Sequence, residues 1–345
     1  MSASILIIYT GGTIGMVEDS HGTLIPLDFN HLNRFVPELN RFSQRIEAVS
    51  FEVPIDSSDV DISSWQLMGQ LVMDHYHQYD GFVILHGTDT MAYSAAALSF
   101  MLKNLSKPVI FTGSQLPIGQ IRTDGKENLL TAIEIAAAMQ DGVSMVQEVC
   151  IYFQSQLFRG NRTHKYNTET FDAFESANFP PLAEAGIHIF YHANLLLRPE
   201  GPFTFRKRFD DRVGILKIFP GITPSLVKSI LHAEGIRAVV LESYGSGNGP
   251  TAEWFIQLLT DAVQRGLIIL NVSQCNKGFV EQGKYDTSAS FEKIGVIGGG
   301  DITSEAALVK LMYLLGQEMS IDEVKRWLRV SIRGEMSDLN EQLLD

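Results

Sequence analysis

Five short apolar runs in the first half of the chain constrain the fold more than any other feature of the sequence. Residues 5–9, 47–53, 82–85, 109–112 and 149–153 are rich in Val, Ile and Phe, and each reads as a buried strand. Residues 63–79, 91–104 and 127–139, lying between them, read as helices. Asp124, with Glu127 three residues on, predicts a capping box at the start of the last helix. Strands alternating with helices imply an α/β fold, a mostly parallel sheet covered on both faces.

From about residue 174 to 211 the alternation weakens. Pro180-Pro181, Pro199-Glu200-Gly201-Pro202 and Arg206-Lys207-Arg208 look like connecting structure. A second α/β block then begins, with strands expected at 213–219, 238–241 and 267–272 and helices at 224–233, 252–265 and 304–315. The expected organisation is an N-terminal domain over 1–190, a linker over 191–212 and a smaller C-terminal domain over 213–345. The chain has 345 residues, enough for two domains with their own cores.

Charge and cysteine usage narrow the function classes. The formal net charge is −13, from 27 Lys+Arg against 40 Asp+Glu, which disfavours binding to a phosphate backbone. The two cysteines, Cys150 and Cys275, make no disulfide framework and no zinc spacing. His75 and His77 diverge on their expected helix, so they do not share a metal. The N-terminus lacks a basic region followed by a long apolar stretch. No apolar run approaches the roughly 20 residues that span a bilayer. A soluble, intracellular protein without nucleic-acid or membrane partners is expected.

Ligands of open α/β sheets bind beyond the carboxyl ends of the strands. After the first strand comes Thr10-Gly11-Gly12-Thr13-Ile14-Gly15, after the second Asp56-Ser57-Ser58-Asp59. The third leads into His86-Gly87-Thr88-Asp89-Thr90, the fourth into Gly113-Ser114-Gln115 and the fifth into Arg159-Gly160-Asn161-Arg162-Thr163-His164-Lys165. Parallel strands bring these loops to one edge, crowded with hydroxyls, carboxylates and a lysine.

Each piece alone has a plain structural reading. Thr-Gly-Gly-Thr makes a tight turn, and it is neither a dinucleotide fingerprint nor a P-loop. Thr88 or Asp89 would cap the helix starting near Met91. Ser57 and Ser58 suit a turn, and Lys165 a solvated surface. Together they suit nucleophilic acyl transfer. A threonine hydroxyl needs a base within hydrogen-bond reach. No histidine stands in a partner position except His86, whose place at a strand end lets it face the core. A partly buried lysine can serve as that base, with Asp89 holding the lysine or a substrate ammonium. Backbone N–H groups near Gly12 and Thr88 can stabilise an oxyanion. The residues thus point to a threonine hydrolase acting on a small zwitterion.

At these positions the chain resembles the bacterial type I, cytoplasmic branch of the L-asparaginases. The motifs are Tyr9-Thr10-Gly11-Gly12-Thr13-Ile14-Gly15, Leu85-His86-Gly87-Thr88-Asp89-Thr90-Met91 and Arg159-Gly160-Asn161-Arg162. Later in the chain, Tyr244-Gly245-Ser246-Gly247-Asn248-Gly249-Pro250 and Thr303-Ser304-Glu305-Ala306-Ala307 also match. The resemblance implies that Thr13 attacks the side-chain amide and becomes acylated. Thr88, Lys165 and Asp89 would manage protons and activate water, with Asp89 also receiving the α-amino group. Asp56, Ser57 and Ser58 would hold the α-carboxylate, and Ser114 would act through its backbone carbonyl. The implied substrate is L-asparagine, with no metal and no organic cofactor. The implied assembly is a homo-oligomer, dimer or tetramer, in which a neighbour's second domain completes each site and Tyr285 is the candidate residue. Residues 16–30 contain no tyrosine, unlike the secreted type II enzymes. Some type I enzymes bind asparagine at a regulatory site near the segment matching Ser273-Gln274-Cys275. An arginine of that site falls at Glu242, a reversed charge that disfavours a carboxylate effector.

Two rival readings rank lower. The asparaginase-like subunit of a tRNA-dependent amidotransferase carries an additional N-terminal domain, whereas the first strand here begins by Ile5 and the acidic balance is wrong for tRNA. A non-catalytic amino-acid sensor on the same fold would not need every matched catalytic position intact. Gly298-Gly299-Gly300 lacks the strand-turn-helix spacing of a nucleotide site.

Overall fold

Five strands run parallel in the computed structural model, which describes residues 3–18, 24–26, 35–281 and 286–337. They are β1 (Ser4–Gly11), β2 (Arg45–Ile55), β3 (Gly81–Leu85), β4 (Val109–Thr112) and β5 (Val149–Phe153), in the spatial order β2-β1-β3-β4-β5. β3, β4 and β5 are buried at every residue, which is why they read as unbroken apolar runs. β2 lies at the sheet edge and extends beyond the expected 47–53. Its many exposed residues, Arg45, Glu47 and Glu52 among them, obscure its ends.

Three antiparallel strands extend the sheet beyond β5: β6 (Gln156–Arg159), β7 (Ala183–Ala185) and β8 (Ile189–Tyr191). Gln154 and Ser155, at φ 41° and 65°, turn the chain tightly from β5 into β6, the left-handed backbone that two-residue hairpins demand. This corrects the expectation that Arg159–Lys165 follows a parallel strand directly.

The helices α1 (Ile62–His75), α2 (Met91–Met101) and α3 (Gly125–Ala137) lie close to expectation. Asp61 caps α1 by accepting from the Ser64 amide at 2.9 Å, and the Ser64 hydroxyl completes the box. The box expected at α3 is absent. The Asp124 carboxylate instead accepts from the Gln115 and Leu116 amides at 3.0 and 3.2 Å, and Glu127 accepts from Thr131. A carboxylate near a helix start can serve its own helix or a neighbouring loop, and here the loop wins. Leu129, Ala132, Ile133 and Ala136 of α3 pack with Ile5, Ile7, Val83, Leu85 and Ile110 of the strands. Each large side chain so buried contributes about 1.5–3 kcal/mol.

The chain divides into two compact units, Met1–Lys207 and Arg208–Asp345. In the second, β9 (Val213–Lys217), β10 (Ala238–Ser243), β11 (Ile268–Ser273) and β12 (Ile297–Gly298) form a parallel sheet in chain order. Its helices are α4 (Pro224–Leu231), α5 (Glu253–Gln264), α6 (Asp286–Lys293), α7 (Ser304–Gly316) and α8 (Ile321–Leu328). Lys310 of α7 and Glu335 form a fully buried ion pair at 2.6 Å.

Candidate active site

The order β2-β1-β3 places a topological switch point between β1 and β3, where the connections leave in opposite directions and open a crevice. Both threonine-bearing loops start there. Gly11 and Gly12, at φ 133° and 87°, carry the chain out of β1 through backbone that L side chains rarely adopt. A Cβ on Gly11 would stand 2.0 Å from the Ile55 carbonyl oxygen, and one on Gly12 would stand 2.4 Å from the Gly87 nitrogen. Thr13 then opens a 3-10 turn, Thr13–Gly15, and is half-buried. The buried Tyr9 hydroxyl donates to the Gly15 carbonyl at 3.0 Å, and the Thr10 hydroxyl donates to the Leu85 carbonyl at 3.0 Å. The turn is therefore structural in its glycines and leaves Thr13 at the crevice.

Beyond β3, Thr88 and Asp89 do not cap α2. The capping position is Thr90, whose hydroxyl donates instead to the Ser57 carbonyl at 2.6 Å. The Lys165 ammonium donates to Thr88 Oγ1 and to Asp89 Oδ1, both at 2.7 Å. The Lys165 side chain is 13% exposed and that of Asp89 64%, so the lysine is held inside while the carboxylate faces solvent. Lys165 arrives on a two-residue strand, His164–Lys165, paired with Phe174–Glu175. His86 faces the core, with Nδ1 2.7 Å from the Gly87 carbonyl and Nε2 2.9 Å from the Ser94 hydroxyl.

The neighbouring loops are tied to the same place. Asp56 accepts from the Ser58 amide and hydroxyl, each at 2.8 Å, and these bonds hold its carboxyl below the usual carboxylate range. Ser57 is buried, and a Cβ on Gly87 would stand 2.6 Å from it. The Ser114 hydroxyl is turned back to the Leu116 carbonyl at 2.5 Å. Burial lifts the Asp124 carboxyl above its ordinary value, against the Gln115 and Leu116 amides that it accepts. Gln115, given no role from sequence, stands 3.4 Å from Thr88 Oγ1 and donates to the Thr170 carbonyl at 3.1 Å. Its position in a strand-end loop was the available signal. Tyr285 lies outside the described residues. In the second unit Glu242 pairs with Lys217 at 3.3 Å, the Ser273 hydroxyl donates to the Gly245 carbonyl, and Gln274 Nε2 donates to the Ile218 and Glu242 carbonyls.

Among the described residues, no three or more His, Cys, Asp or Glu side chains are grouped to hold a metal ion, and no helix is long and apolar enough to cross a membrane.

Comparison with known proteins covers nearly the whole chain. The model of the asparaginase N-terminal domain matches residues 4–197, and that of the glutaminase/asparaginase C-terminal domain matches residues 212–328. L-asparaginase 1 of Escherichia coli K12 is 44% identical over 340 residues, covering 97% of this chain and 98% of that protein. The crystal structure of L-asparaginase I from Vibrio cholerae superposes with a TM-score of 0.89 at 39% identity, covering 98% of this chain and 100% of that one. The thermostable L-asparaginase from Thermococcus kodakarensis gives a TM-score of 0.88 at 29% identity, with 97% and 99% covered.

Proposed function

Since the chain belongs to the asparaginase family, we propose that it hydrolyses L-asparagine to L-aspartate and ammonia, with Thr13 as nucleophile. The observation that carries the assignment of roles is the Lys165 ammonium, 2.7 Å from both Thr88 Oγ1 and Asp89 Oδ1. Such an arrangement supplies a proton-handling group beside a hydroxyl at the crevice where a small ligand would sit.

In the first half-reaction the Thr13 hydroxyl oxygen bonds to the amide carbon of the asparagine side chain. The carbonyl oxygen takes up the charge, and backbone N–H groups of the loops bearing Thr13 and Thr88 stabilise it. The C–N bond then breaks, and the nitrogen leaves as ammonia carrying the proton that the Thr13 hydroxyl gave up. A β-aspartyl ester remains on Thr13. In the second half-reaction Thr88, backed by Lys165 in its amine form, takes a proton from the water that attacks the ester, and that proton passes to the Thr13 oxygen as aspartate leaves, restoring the threonine hydroxyl. Asp89, with its exposed carboxylate, receives the α-ammonium group. Asp56, Ser57 and Ser58 hold the α-carboxylate, and Ser114 acts through its backbone. We take the protein to be a cytoplasmic homo-oligomer, dimer or tetramer, with Tyr285 from a neighbour completing each site.

The test is ammonia release from asparagine and from glutamine, side by side, with wild type and Thr13→Ala. The variant is expected to keep its fold by circular dichroism and to lose turnover. Full activity would overturn the assignment of the nucleophile.

A further inference from the structure

A chain of four groups runs beneath the crevice and ends at the peptide that carries Thr88. The Trp65 indole N–H, which can only donate, lies 3.1 Å from Ser94 Oγ. The Ser94 hydroxyl has one proton, and His86 Nε2 lies 2.9 Å from that oxygen. His86 Nδ1 lies 2.7 Å from the Gly87 carbonyl oxygen, which can only accept. The assignment is consistent from both ends: Nδ1 carries the proton and Nε2 accepts. His86 is buried, 1% exposed, against the Phe111 ring. Burial lowers its pKa to about 4, with the Gly87 carbonyl opposing in part, so the ring stays neutral near pH 7.

Gly87 is the contact between three of the loops. A Cβ on Gly12 would meet its nitrogen at 2.4 Å and its Cα at 2.5 Å, and its own missing Cβ is replaced by the Ser57 side chain at 2.6 Å. A trans peptide also fixes its two ends together. With the Gly87 C=O drawn to the buried imidazole, the Thr88 N–H points away from it.

We propose that His86 is a positioning residue, whose Nδ1–H donation to the Gly87 carbonyl sets the orientation of the Thr88 peptide and the seat of the Thr13 loop against it. The proposal rests on the asparaginase reading above. His86 itself reaches no reacting atom, since both ring nitrogens are engaged within the core.

Two substitutions separate this role from packing. The Asn amide nitrogen is three bonds from Cα, like His Nδ1, and can donate to the Gly87 carbonyl. The Gln amide nitrogen is four bonds away, like Nε2, and reaches toward Ser94 instead. We expect His86→Asn to stay within about threefold of wild-type kcat, and His86→Gln and His86→Leu to lose about tenfold to a hundredfold, with KM for asparagine nearly unchanged. His86→Asn leaves the larger void, so its melting temperature should fall furthest while its kcat falls least. Ser94→Ala, which deletes one hydroxyl and little volume, should lower kcat several-fold by freeing the tautomer, and it decides the matter if the His86 variants do not fold. Activity that follows the melting temperature, or Gln equal to Asn, or an unchanged Ser94→Ala kcat, overturns the proposal. Wild-type enzyme assayed alongside keeps the two readings apart. A wild type without ammonia release defeats the asparaginase assignment, whereas an active wild type with the wrong order of variants defeats only the role of His86.

Discussion

Gly12 and Gly87 meet so closely that a methyl carbon on the first would lie 2.4 Å from the amide nitrogen of the second. They come from loops that follow different strands, and each immediately precedes one of the two threonines, Thr13 and Thr88. Gly12→Ala is therefore expected to part the loops as well as strain a backbone at φ 87°. The expected loss in kcat/KM is about a hundredfold or more. Steady-state kinetics with a parallel melting curve checks it, and a fully active, normally stable variant would show that the loops move independently.

Lys165→Met keeps most of the aliphatic stem and removes the ammonium that bridges Thr88 and Asp89. Turnover should fall by about 10²–10⁴. Lys165→Arg should not restore it, because a guanidinium stays charged and is planar where the ammonium is compact. Single-turnover measurement of ammonia and aspartate would reveal which half-reaction suffers. Normal activity in the methionine variant would rule out the proton-handling role.

Acid stability should carry the signature of His86. Its pKa is about 4 in the folded protein against an ordinary 6.5, so as pH falls the unfolded chain takes up the proton first. This contribution to stability is full above pH 6.5 and is lost as the pH falls toward 4, amounting to roughly 3 kcal/mol. Urea unfolding across that window should show a shallower pH dependence for His86→Asn than for wild type. Equal slopes would mean that other groups carry the acid sensitivity.

The second unit offers a test of a buried charge. Burial alone would raise the Glu335 carboxyl, but Lys310 and backbone amides hold it below its ordinary value. Lys310→Met leaves that carboxylate buried without its cation and should cost about 3–5 kcal/mol. Adding Glu335→Gln should recover part of the loss, since the Ile332 and Arg333 amides keep an acceptor. A urea midpoint for Lys310→Met close to wild type would show that the pair contributes little.

Legibility in the sequence followed burial. β4 and β5 could be read to the residue because both faces are covered and nothing polar interrupts them. α1 stops at His75, four residues short of the expected end, because Tyr76 and Tyr79 are apolar for another reason. Tyr76 stacks on Phe203 at 3.8 Å, so its burial belongs to the turn beyond the helix. Asp124 had the spacing of a cap, yet spacing cannot say which amides a carboxylate will reach. The gathering of Thr88, Asp89 and Lys165 was foreseeable as a crowded sheet edge. The hairpin that delivers Lys165 was not, since its turn uses Gln154 and Ser155 rather than the glycine or asparagine that usually marks positive φ.

That delivery has a consequence for how such a site could be altered. Thr13 and Thr88 sit in the loops that leave β1 and β3, closed against each other at Gly12 and Gly87, and shifting either would part those loops. Lys165 sits on a two-residue pairing with Phe174–Glu175, mounted outside the main sheet. The group proposed to handle protons is thus an attachment, and the threonines it would serve are held by loops of the main sheet. Segment 165–172, flanked by the buried Thr163 and the buried Ala173 and Phe174, is the place where grafted sequence could change the chemistry with least disturbance of the scaffold.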